Sequence, residues 1–145
     1  MSSPEEPLLY NAGMWKLIAL LLFVIALDLA ASAQSAGWSI PPTAKDEKNP
    51  LTTSPEVLAK GKELFTKHCQ RCHGPEGKGD GPEVDPQVLV GDLSDEYRAP
   101  LNPEGIMFYR VLNGRPPTMP AFKETLNKDE IWTVVGYAKT LRKPS

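Results

Sequence analysis

The five residues Cys69-Gln70-Arg71-Cys72-His73 constrain this chain more than any other feature. They hold both of its cysteines, three apart, with a histidine directly after the second. On a helical turn that separation brings two thiols to one side, about one turn apart. The pattern is the signature of covalent haem attachment. Two thiols add across the two vinyl groups of one porphyrin, and the adjoining His73 lies under the iron and offers it an imidazole nitrogen. One covalent haem c is therefore the expected cofactor, held by Cys69 and Cys72.

Other uses of these residues fit poorly. A zinc site needs four ligands, and the candidates His68, Cys69, Cys72 and His73 crowd into one short segment with no second pair elsewhere. A redox dithiol of the thioredoxin kind needs strand–helix context, and no segment of length alternates as a strand does. A Cys69–Cys72 disulfide would close a tiny loop and stabilise little. The remaining composition excludes further classes. With 16 Lys+Arg against 18 Asp+Glu there is no basic stripe for nucleic acid. No glycine-rich phosphate loop points to a nucleotide enzyme.

The first part of the chain reads as an export signal. Leu17 to Leu27 is unbroken apolar sequence behind Lys16, and Ala31-Ser32-Ala33 ends it with a small-x-small cleavage pattern. The run is shorter than the ~20 residues of a membrane span, so residues 1–33 are expected to be a cleaved signal peptide, with an uncleaved N-terminal anchor as the alternative. Glu5 and Glu6 stand where a signal carries positive charge, whereas Met14-Trp15-Lys16 suits one, which suggests Met14 as the true start. Removing residues 1–33 takes away Lys16, Glu5, Glu6 and Asp28 and leaves a neutral chain.

Residues 34–53 form a Pro-rich arm or linker. Its prolines favour extended or polyproline structure, and Trp38 and Ile40 suggest packing on the domain or a partner. Residues 54–145 read as helices joined by long Pro- and Gly-rich loops. Ser54-Pro55-Glu56 opens the first helix with a capping hydroxyl, proline in the first turn and an acid near the positive end. Asn102-Pro103-Glu104 opens the next, which Asn113-Gly114 closes. Asn127 to Glu130 has capping-box spacing and starts a last helix whose apolar face carries Ile131, Val134, Val135, Ala138 and Leu141.

With these features in order, residues 54–145 resemble the class I, single-haem c-type cytochromes. Gly61 and Phe65 precede the Cys-x-x-Cys-His turn. The loop Gly74-Pro75-Glu76-Gly77-Lys78-Gly79-Asp80-Gly81-Pro82 follows, then Asn113-Gly114, Met119-Pro120-Ala121-Phe122, and a last helix with Trp132, Val135, Tyr137 and Leu141. The resemblance implies an all-α, small cytochrome c fold, with three to four helices around one haem. It also implies a close crossing of the first and last helices, where Gly61 leaves room for Trp132 or Tyr137.

The resemblance further implies that Met119 is the second axial ligand beside His73. Read alone, a loop methionine fills a gap in the core. Met107 sits on a helical pattern suited to packing, and His68 lies on the same side of the porphyrin as His73. The imidazole of His73 is expected to donate to a loop proline carbonyl, that of Pro82, or else of Pro86. Arg115 is the proposed partner of the haem propionates, with Arg71, Arg98, Tyr97 and Trp132 as further candidates. The function implied is a periplasmic carrier of single electrons between protein donors and acceptors, not a catalytic enzyme. The alternative is a membrane-tethered haem subunit of a larger respiratory or photosynthetic oxidoreductase, on the outer face of the cytoplasmic membrane.

Overall fold

The computed structural model describes residues 15–22 and 37–142, which fall into two units divided after Gly37. The cleavage pattern at 31–33, the acidic start, Met14 and residues 34–36 lie outside the described residues. Residues 15–22 are helical and expose their leucines. No helix of the described residues is long and apolar enough to cross a membrane.

The second unit has four α-helices among its described residues: α1 (Pro55–His68), α2 (Gln70–His73), α3 (Glu104–Asn113) and α4 (Lys128–Thr140). Local chemistry sets their ends. The hydroxyl of Ser54 accepts from the Val57 amide at 3.2 Å and caps α1. Asn127 and Glu130 exchange side-chain and backbone bonds at 2.9 Å each and cap α4. Gly114 ends α3 at φ +60°, a left-handed backbone where a Cβ would stand 2.5 Å from the peptide of Pro120 and Ala121. Glycine is required there on both counts.

The core forms where α1 and α3 pack on α4. Phe65, Ile131 and Val135 are its most deeply buried large side chains. Phe108 stacks on Trp132 with ring centres 4.3 Å apart, and Phe65 meets Tyr137 at 5.5 Å. Of the two aromatics expected at the helix crossing, Tyr137 stands against Gly61; Trp132 belongs to the Phe108 stack. No strand is present among the described residues, only an isolated bridge between Arg115 and Met119.

The arm differs from an extended linker over its described part. Pro42–Asp46 forms a 3-10 helix that packs on α3, with Ala44 fully buried. Asn49 fastens its far end, donating from Nδ2 to the Trp132 carbonyl at 3.0 Å and from its amide to Glu104 Oε1 at 3.2 Å. Glu47 accepts from the Tyr109 hydroxyl at 3.0 Å. Proline blocks regular helix, yet side-chain amides and carboxylates give this segment tertiary partners that composition does not reveal. A second 3-10 helix, Glu96–Leu101, also occupies sequence expected to be loop.

Candidate haem site

α1 runs directly into the cysteine turn. The Cys69 amide donates to the Phe65 carbonyl at 2.8 Å, so Cys69 both ends α1 and starts α2. The His73 amide donates to the Cys69 carbonyl at 2.9 Å, which keeps both cysteines and the histidine on one short helical segment. The two cysteines are not joined in a disulfide. Burial, with Cys72 beside it, pushes the Cys69 thiol up to about 12, so it stays protonated at neutral pH.

The loop after the motif folds back along it. The amides of Gly79, Gly81 and Glu83 donate to the carbonyls of His73, Cys72 and Arg71 at 2.8–3.1 Å. Leu93 then returns to the Gly77 carbonyl at 2.7 Å, which carries residues 88–91 over the histidine. His73 Nδ1 consequently lies 3.3 Å from the Gly91 carbonyl oxygen. Its partner is therefore Gly91, neither Pro82 nor Pro86. Both prolines are exposed, and Pro82 is held next to Arg71 by the bonds of its neighbours Gly81 and Glu83. Burial lowers the His73 pKa and the Gly91 bond only partly opposes this, so the ring is neutral near pH 7. With Nδ1–H donated to Gly91, Nε2 keeps the lone pair that a metal takes.

Two adjoining cavities meet at this ring. Cys69, His73, Gly91, Met119 and Trp38 stand on the walls of both. Cys72 lines the first, beside Arg71, Arg115 and residues 88–90; Met107, Arg110 and the α4 residues Val134, Val135 and Ala138 line the second.

Met119 is held by its own loop. The Arg115 amide donates to the Met119 carbonyl at 2.8 Å and the Met119 amide returns the bond at 3.1 Å. Thr118 closes the turn, donating from its hydroxyl to the Arg115 carbonyl at 2.9 Å. Met107 is more deeply buried, and its sulfur accepts from Arg142 Nη2 at 3.4 Å. His68 lines the first cavity and packs edge-on against Phe122.

The candidate carboxylate partners separate. Arg115 lines the first cavity, and so does Arg71, which also pairs with Glu83 at 3.5 Å. Arg98 pairs with Asp95 at 3.2 Å, Tyr97 is exposed, and neither lines the two cavities. Trp132 is core. Arg110, absent from those candidates, lines the second cavity, and its Nε is buried without a hydrogen-bond partner. Burial and the like charge of Arg115 pull its pKa down. Its placement on α3 is a helical-phase signal that was legible; the sequence suggests that Trp38 packs on the domain or a partner, but which residues it meets depends on how the arm docks.

These residues fit haem c. The walls are largely apolar, two thiols and a neutral imidazole share one short helical segment, a thioether faces both cavities, and a buried guanidinium nitrogen awaits an acceptor. Among the described residues no three His, Cys, Asp or Glu side chains cluster to hold a bare metal ion.

A helical domain closed by its first and last helices around such a cysteine–histidine turn is a c-type cytochrome, an electron-transfer protein of the haem-binding class. More particularly, residues 56–137 match the family described as cytochrome c oxidase, cbb3-type, subunit III, and the chain belongs to that family. It is 29% identical over 83 residues to the cbb3-type cytochrome c oxidase subunit FixP of Bradyrhizobium sp. (strain ORS 278). That match covers 57% of this chain and 27% of the relative, so the chain spans about a quarter of that protein. Among solved structures, a chain of the Kuenenia stuttgartiensis reducing HAO-like protein complex is similar at a TM-score of 0.58 and 28% identity, over 65% of this chain and 47% of that one.

Proposed function

We propose that the chain is an exported carrier of single electrons with one haem c, joined to Cys69 and Cys72 and ligated by His73 and Met119. The observation that supports this most is the convergence of Cys69, His73 and Met119 on two adjoining cavities. When bound, haem supplies a ferric–ferrous couple. The protein's own groups do the rest. Gly91 orients the His73 ring and keeps its proton on Nδ1. The Arg115–Met119 bridge fixes the thioether, whose neutral sulfur favours ferrous iron. Val134, Val135 and Ala138 give the second cavity an apolar wall. Arg115 takes up propionate charge at the first. The periplasm is the compartment that an export signal and covalent haem attachment call for. Protein redox partners follow from the absence of any free axial position in this ligation.

The test is spectroscopy of the purified full-length protein in alkaline pyridine, with and without prior acid–acetone extraction. One equivalent of haem that resists extraction supports the reading; its absence refutes it.

A second reading, a membrane-tethered haem subunit of a larger oxidoreductase, has support in the relatives, one an oxidase subunit and one part of a protein complex. N-terminal sequencing of the native protein separates the two. A start at Gln34 supports the free carrier, and retention of Leu17–Leu27 supports the tethered subunit.

A further inference from the structure

Trp38 stands on the walls of both cavities although it lies in the arm, far ahead of Cys69 in sequence. Two guanidiniums lie against its ring: the Cζ of Arg110 is 5.3 Å and that of Arg115 5.4 Å from the ring centre. A guanidinium within about 6 Å of an aromatic centre is attracted by the ring, so the indole holds each of them. The indole is itself anchored. The Ser39 carbonyl accepts from Asn113 Nδ2 at 2.9 Å, and the 3-10 helix that follows buries Ala44 on α3. Arg115 reaches the first cavity and Arg110 the second, where the Arg110 Nε is buried without a partner.

Resting on the reading that haem occupies these cavities, we infer that Trp38 is a positioning residue: stacked against Arg110 and Arg115, it holds both guanidiniums toward the haem carboxylates and closes that end of the pocket to water. The arm is then part of the cofactor site. Cations kept beside the haem in a dry pocket favour the ferrous form, which carries one positive charge fewer, and the effect grows as water is excluded. Without the indole, the two arginines lose the ring that holds each of them and turn to solvent, and the ferric form gains.

The experiment compares full-length haem-loaded wild type with Trp38→Ala, Trp38→Phe, Arg110→Gln and Asn49→Ala, measuring haem content, reduction potential and urea midpoint. Trp38→Ala and Arg110→Gln are each expected to lower the potential at unchanged haem content. Trp38→Phe keeps an aromatic face and is expected to restore most of the shift. Asn49→Ala loosens the arm at its other end, and should lower the urea midpoint with the potential unmoved. A wild-type potential in Trp38→Ala overturns the inference, as does an equal shift in Trp38→Phe or in Asn49→Ala, which would make the arm merely structural. If Trp38→Ala does not fold, a wild-type potential in Arg110→Gln overturns it alone. A wild-type protein without haem refutes the underlying reading instead, and the inference with it.

Discussion

Gly61 and Tyr137 touch where α1 crosses α4: a Cβ on Gly61 would stand 2.6 Å from the Tyr137 Cβ and 2.7 Å from the Thr133 carbonyl oxygen. Both obstacles are backbone or attached directly to it, so neither can swing aside. A leucine at 61 must force the helices apart. Overpacking of this kind costs about 1–3 kcal/mol, more than the ~1 kcal/mol that replacing a helical glycine gains. Gly61→Leu is expected to lower the urea midpoint accordingly; an unchanged midpoint would show that the crossing yields.

Serine at both 69 and 72 removes the two thiols that adjoin the cavity wall. Acid–acetone should then extract all haem from the variant and none from wild type. Because the cofactor site borders the core residues Phe65, Val134 and Val135, binding energy is here also folding energy. The double variant should unfold over a broader urea range. Wild-type cooperativity without haem would contradict this.

Met119→Ala removes a thioether that faces both cavities. The reduction potential should fall, since sulfur ligation raises it, and carbon monoxide should bind the ferrous protein. The far-red absorption that reports sulfur on ferric haem should disappear. A retained band would shift attention to Met107, whose sulfur is already engaged by Arg142.

Glu104 ties the arm to the last helix. Burial raises its carboxyl pKa, but the hydrogen bond and charge of Lys139, 2.5 Å away, and the Asn49 amide outweigh this and hold it below the ordinary 4.5. The folded-state pKa is thus depressed. Its stabilisation is present above the unfolded value and is lost as pH falls through the folded one. Glu104→Gln should cost on the order of 1 kcal/mol at pH 7. The difference from wild type should shrink below about pH 4. Urea titrations across that range check both statements, and a pH-independent difference would refute the second.

What could be read in the amino-acid order was chemistry between near neighbours. Ser54, Gly114 and the Asn127–Glu130 box end their helices through bonds spanning a few residues, so local pattern suffices. The cysteine turn is equally local. Contacts that depend on where a loop travels were not legible. His73 meets Gly91 because Leu93 returns to Gly77, a bond that no spacing announces. The 3-10 helix at Pro42–Asp46 looked like polyproline, since its stabilisation comes from burying Ala44 on α3. Arg110 was within reach of helical phase on α3, but its unpartnered buried Nε shows only in the packed domain.

The crossing of α1 with α4 joins the two ends of the domain. Cys69 ends α1, and the cavity it lines shares its wall with Val134, Val135 and Ala138 of α4. A change in how α4 seats on α1 is therefore transmitted to the cysteine turn without touching the motif itself.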